Sequence, residues 1–329
     1  MPRSMGNPER ESAVTAVQAG RARQLEALRR NLGSDVLRWL DEPSVVEVML
    51  NPNGELWVER LGEGMARAGR MDAVQALALI QSVAALRESV VTPEAPILEC
   101  ELPLDGSRFE ALVPPLTEQP VFTLRKKALR IFTLADYVAQ GVLTPGQRDV
   151  LHEAVRQRQN LLVSGGTGSG KSTLLNALLH AVSQETPGHR LVVIEDTREL
   201  QCTAPNAVFL RTSDTIDMTR LLRATLRLRP DRIIVGEVRG AEALALLKAW
   251  NTGHPGGVGT VHANDALGAL IRLGQMIQEA GVPPQPELIA QAVQGVVHIR
   301  RLNASPGRRV EEIVRVAGYG QGRFQIDQT

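Results

Sequence analysis

At 329 residues with a 43% apolar share, the chain exceeds what one hydrophobic core usually serves, and two domains are expected. Its 37 Lys and Arg nearly cancel 36 Asp and Glu, and a formal charge of +1 excludes the polyelectrolyte footprint of a protein that holds nucleic acid through overall charge. Cys100 and Cys202 lie far apart and outside any CxxC, which excludes a disulfide framework and a cysteine zinc site and fits a reducing cytoplasm.

Residues 1–30 are polar, with Arg and Glu throughout and no apolar core before a small-residue cleavage site, so no signal peptide is expected. Residues 9–40 predict a helix. Val14, Val17, Leu25, Leu28, Leu32, Leu37 and Leu40 recur near three-and-four spacing, with Arg21, Arg23, Arg29 and Arg30 between them. This reads as an N-terminal arm, residues 1–40, whose charged face is solvated; the alternative is a basic face that meets a membrane surface.

Short strands follow. Residues 45–50 and 56–60 flank an Asn51-Pro52-Asn53-Gly54 turn and predict a hairpin. A helix over 73–87 comes next. Its apolar run continues to 91, but Gln75, Gln81, Arg87 and Glu88 break it short of the roughly 20 residues that span a bilayer. Strands over 97–102 and 108–113 surround an Asp105-Gly106 turn, and residues 121–124 predict one more. Together they describe a small α+β domain over 41–132. From 133 to 329, beginning with helices over 134–140 and 145–157, strands and helices alternate, which predicts a mostly parallel sheet covered on both faces.

Residues 160–164 form a short apolar strand. Gly165, Gly166, Thr167, Gly168, Ser169, Gly170, Lys171, Ser172 and Thr173 follow, and then a helix, the full context of a GxxxxGK[ST] phosphate loop. Glycines let backbone N–H groups turn inward around phosphates. Lys171 is placed for the terminal phosphates of ATP and Ser172 for Mg2+, with the helix N-terminus adding partial positive charge. Downstream, a buried strand over 191–194 ends in Glu195-Asp196, with Glu199 close behind, and another over 233–235 ends in Gly236-Glu237. Hydrolysis needs one carboxylate for water and another near the metal, and Glu237 and Glu195 are the best placed.

Residues 226–239, which end in Val235-Gly236-Glu237-Val238-Arg239, resemble the atypical second nucleotide motif of the type II and type IV secretion ATPases. Residues 194–200 resemble their acidic box, and residues 252–264, with His254, Pro255, Gly256, Gly257, His262 and Asn264, their histidine box. The absence of a paired CxxC and the Pro-Gly-Gly at 255–257 make the TrbB-type conjugal transfer ATPases the most similar branch. The resemblance implies a RecA-like P-loop domain after a PAS-like α+β domain, and assembly as a homo-hexamer. It also implies a cytoplasmic location, peripheral at the inner membrane beside components of a type IV secretion or conjugation channel. His262 and Asn264 then lie near the γ-phosphate, with flanking glycines that let the segment move. Residues 105–109 and 122–127 resemble segments that carry arginines to the nucleotide, which gives Arg108 and Arg125 the role of stabilising phosphate charge. Two departures stand out: Lys127 occupies a position where Pro is expected, and the strand-like tail, residues 303–329, names no partner.

Three other readings remain open at this point: a type IV pilus assembly or retraction motor, a nucleotide-gated scaffold with little turnover, and a DNA translocase or recombinase. The last is disfavoured by near-neutral charge and an aromatic content of 3%, too low for a base-stacking platform. No direct sequence-specific nucleic-acid binding is expected.

Overall fold

The computed structural model describes residues 8–61, 63–127, 131–213, 215–302 and 304–329, with side chains from residue 18 onward. The chain forms two compact units, residues 1–129 and 130–329.

In the first unit, α1 (Pro8–Asp41) leads into β1 (Val45–Leu50), β2 (Glu55–Arg60), β3 (Gly64–Arg70), α2 (Ala73–Leu86), β4 (Ile97–Glu101), β5 (Arg108–Leu112) and β6 (Val121–Arg125). The six strands make one antiparallel sheet in the order β3-β2-β1-β6-β5-β4. The expected hairpin is β1–β2. Strand β3, Gly-Met-Ala-Arg-Ala-Gly-Arg, was not anticipated: it is a mostly exposed edge strand and lacks the alternating apolar face by which strands are recognised. Helix α1 carries a non-helical Gly33 (φ 78, ψ 164). Leu28, Leu32, Val36 and Trp39 from its second half are buried in one cluster with Val48, Val58, Phe109 and Leu124 of the sheet. That half of the helix is therefore part of the unit's core, while Arg21, Arg23, Arg29 and Arg30 are exposed. Val14 and Val17 lie outside the described side chains. Lys127 turns its ammonium to Glu101, 3.9 Å away, and Lys126 Nζ donates to the carbonyls of Trp39 and Glu42 at 3.2 and 2.6 Å.

The second unit contains α3 (Leu134–Ala139), α4 (Pro145–Arg156), β7 (Leu161–Ser164), α5 (Lys171–Glu185), β8 (Leu191–Glu195), β9 (Ala207–Arg211), α6 (Met218–Thr225), β10 (Arg232–Val238), α7 (Glu242–Asn251), β11 (Val258–Val261), α8 (Ala266–Glu279), α9 (Pro286–Ala292), β12 (Gly295–Arg301), β13 (Arg308–Gly320) and β14 (Arg323–Gln328). Capping boxes start α3 and α4, from Thr133 with Asp136 and from Thr144 with Gln147. The eight strands run in the order β14-β13-β12-β7-β11-β10-β8-β9. All pairs from β12 to β9 are parallel, and the tail adds β13 and β14 antiparallel, so the sheet is mixed. Alternate residues of the buried strands serve opposite faces. Leu161, Val163, Leu191 and Val193 join the core with α3, α4 and α5, whereas Leu162, Val192 and Ile194 join the core with α7, α8 and α9. Two covered faces are why these strands read as unbroken apolar runs.

Opposite the carboxyl ends of the parallel strands, buried polar side chains tie loops together. Asn160, 2% exposed, donates from Nδ2 to the Ala292 carbonyl at 2.7 Å and accepts from Gly257 N at 2.8 Å. Arg232, 1% exposed, donates to the carbonyls of Gly256 and Val155 at 3.1 and 2.9 Å, and burial pulls its pKa down to about 10. Truncating Asn160 leaves two buried backbone groups without partners. Chemical denaturation of Asn160→Ala is expected to show a loss of about 2 to 4 kcal/mol, and a loss under about 1 kcal/mol would remove this tie from the account.

Candidate functional site

Strand β7 is buried along its whole length and delivers the chain into the loop before α5. Gly170, the residue that opens α5, has φ 98 and makes no side-chain cap to the helix's first amides. Helix starts usually recruit Ser, Thr, Asp or Asn to satisfy those donors. Here the glycine at the cap has no side chain to offer them, and with the positive end of the helix dipole these amides form a cradle for an anion. Glycine is needed at 170 for its left-handed backbone and because a Cβ would stand 2.5 Å from Nη1 of Arg308. Gly166, Thr167 and Gly168 are exposed, while Ser169 is buried, with a hydroxyl that has no hydrogen-bond partner among the described residues.

Strand order sets which side chains can meet. The neighbours β7, β11, β10 and β8 all run parallel, so the segments after their carboxyl ends lie in a row at strand spacing. Lys171 follows β7, His262 follows β11, Glu237 lies near the end of β10, and Glu195 closes β8. Lys171, 8% exposed, donates from Nζ to the Gly166 carbonyl at 3.0 Å and lies 3.4 and 3.3 Å from Nδ1 and Nε2 of His262. His262 Nε2 stands 2.7 Å from Glu237 Oε1. The register of β10 against β11 shifts between Val235 and Val238, a bulge that re-aims Glu237. Its other oxygen accepts from Arg239 Nε at 2.7 Å, and Arg239 Nη1 lies 3.9 Å from Asp196.

Glu195 and Glu199, two of the three acids of the 195–200 segment, take different partners. Glu195, 3% exposed, turns Oε1 onto the amides of Glu199 and Leu200 at 2.9 and 2.7 Å, and so folds its own loop. Burial raises its pKa to about 7, against the opposing pull of those two amides. The carboxylate that reaches the phosphate loop is Glu199, which accepts from Ser172 Oγ at 2.7 Å. Sequence reasoning noted Glu199 without giving it a role, since spacing alone does not tell which acid of the segment turns inward.

The two histidines of the glycine-rich segment separate. His254 precedes β11 and donates to the Pro230 carbonyl at 3.0 Å, at the end of the strand away from His262. Asn264 is exposed. Gly257 fills a packing slot: a Cβ there would collide with the Trp250 indole, whose Nε1 donates to the Ile233 carbonyl at 3.1 Å. Three further cations or imidazoles that the sequence did not single out border the loop. Arg308 lies against Gly170, Arg301 Nη1 stands 3.4 Å from a Cβ built at Gly168, and buried His298 meets Ser164 Oγ at 3.0 Å, its pKa lowered by burial. The arginine-rich stretches 300–301 and 308–309 were the available signal. Arg108 and Arg125 lie opposite one another on β5 and β6 of the first unit, and Arg125 Nε is 3.6 Å from Glu47.

A family model described as type II/IV secretion system protein matches residues 32–319. Probable conjugal transfer protein TrbB of Sinorhizobium fredii is 50% identical over 305 residues, which cover 93% of this chain and 93% of the relative. Type IV secretion system protein PtlH of Bordetella pertussis is 35% identical over 321 residues, covering 88% of this chain and 91% of the relative. Among solved structures, the Yersinia pseudotuberculosis ATPase DotB is similar in fold, with a TM-score of 0.61 at 17% identity, over 85% of this chain and 78% of that one.

The Glu195 carboxyl holds its proton more tightly folded than unfolded, so its contribution to stability is complete below the usual value of 4.5 and is lost as pH rises through about 7. Glu195→Gln keeps the oxygen that accepts both amides and removes the titration. Between pH 5 and pH 8 the wild type is expected to lose on the order of 2 kcal/mol relative to the variant in urea denaturation. Parallel pH curves for the two proteins would contradict this.

Proposed function

The chain belongs to the type II/IV secretion system protein family, and from that premise we propose that it is an ATP hydrolase powering conjugal transfer through a type IV secretion channel. In this reading it works as a homo-hexamer on the cytoplasmic side, in peripheral association with inner-membrane channel components. The first unit is read as PAS-like and the second as a RecA-like motor. Among the described residues, no helix is long and apolar enough to cross a membrane.

The observation that carries the reading is the uncapped start of α5 with Lys171, His262 and Glu237 in sequence across neighbouring strand ends. The cradle suits a polyphosphate, since open amides, a helix N-terminus and a lysine converge on residues 165–173. Lys171 exchanges the Gly166 carbonyl and His262 for the terminal phosphate. Ser172 and Glu199 are the donors that would hold a magnesium ion, two hard oxygens already 2.7 Å apart, and the ion supplies charge neutralisation on the phosphates. Glu195 acts through the loop that presents Glu199. Glu237 takes the proton of the attacking water through the oxygen near His262, while a hydrogen bond from Arg239 holds the other. Arg108 and Arg125 keep the role of stabilising phosphate charge that the family resemblance gives them.

In purified protein, Lys171→Ala is expected to abolish phosphate release. Glu237→Gln should retain ATP binding while turnover falls on the order of 100-fold or more; wild-type turnover in that variant would remove Glu237 from the mechanism. Glu199→Ala should raise the magnesium concentration for half-maximal turnover about 10-fold. An unchanged magnesium dependence would show that Glu199 holds no metal.

A further inference from the structure

Strands β12 and β13 pair antiparallel with Arg301 opposite Arg308 and Arg300 opposite Arg309. The two pairs are neighbours along the ladder, so the pleat sends them to opposite faces. Arg300 meets an acid, with Nη1 3.2 Å from Glu311. Arg301 and Arg308 face the phosphate loop: the Arg308 guanidinium fills the space where Gly170 would carry a Cβ, and Arg301 reaches Gly168. With the positive end of α5 and the Lys171 ammonium, the two guanidinium groups place positive potential around the loop, and an anion seated there is attracted by each of them.

The hairpin is also held in place. Val310 N donates to the Val142 carbonyl at 2.9 Å, and Gln147 Nε2 donates to the Val310 carbonyl at 3.2 Å, which fixes the base of β13 to the segment joining α3 and α4 and to α4 itself. A guanidinium presented from an anchored strand is oriented before any ligand arrives, and its planar fork suits two oxygens of a phosphate.

We propose that Arg301 and Arg308 form a second cationic wall of the phosphate site, gripping the polyphosphate of a nucleoside di- or triphosphate from the β12–β13 hairpin of the same chain. The inference rests on reading residues 165–173 as a phosphate cradle. It makes the hairpin part of the binding site, so that nucleotide affinity depends on the C-terminal strands that present the two arginines.

Binding of a fluorescent ADP, with pyrophosphate as competitor, tests this in the full chain. Arg301→Ala/Arg308→Ala should weaken both ligands by about 10-fold per arginine and flatten the dependence of affinity on salt. Arg300→Ala/Arg309→Ala removes the same net charge from the other face and should bind as the wild type does. The lysine pair, Arg301→Lys/Arg308→Lys, should recover part of the loss, which a purely structural role would not predict. Single Arg301→Gln and Arg308→Gln variants, checked by circular dichroism, serve where the double variant fails to fold. Equal effects from the two faces, or unchanged affinity in Arg301→Ala/Arg308→Ala while Lys171→Ala loses binding, would overturn the arginine wall and leave the cradle standing. A wild-type chain that binds neither ADP nor pyrophosphate would overturn both.

Discussion

A helix that starts without a capping side chain is the constraint on which the rest of the second unit depends. Orphan amides at a helix start are tolerated only where water or a ligand can reach them, and α5 opens from a glycine after an exposed stretch of loop. The cores behind it are arranged to keep it so. Strand β7 is sealed on both faces and its next-door strands are parallel, so the loop projects from a fixed platform. The functional side chains come from the neighbouring strand ends in that same direction.

Strand order then does what no single motif does. Residues 171, 237 and 262 are scattered over about a quarter of the chain, yet the order β7-β11-β10 seats histidine between lysine and glutamate. The bulge in β10 supplies the last correction, because a strand with a strict period of two would present Glu237 at a different angle. Acid placement on β8 follows the opposite logic. Glu195 is buried and spends one oxygen on the turn that it stabilises, the turn from which Glu199 meets Ser172.

Much of this was legible in the residues. The phosphate loop, its flanking strand and helix, the hairpin around Asn51–Gly54 and the alternation of the second unit all rest on local patterns of period two or 3.6. What was not legible depends on distant partners. Strand β3 has no apolar face to announce it. Whether Glu195 or Glu199 turns toward Ser172 is decided by which amides each can reach. Arg301 and Arg308 gain meaning only from cross-strand register and from the parallel pairing of β12 with β7. The glycines around His262 looked like freedom of motion, but Gly257 is dictated by an indole 7 residues away.

That indole has a practical corollary. Trp39, Trp57 and Trp250 are the three tryptophans of the chain, and Trp250 alone belongs to residues 130–329. It is 3% exposed and wedged beneath the strand that leads to His262. With Trp39 and Trp57 replaced by phenylalanine, its emission becomes a built-in optical gauge: a red shift would signal that β11 had parted from β10, without any dye attached to the protein.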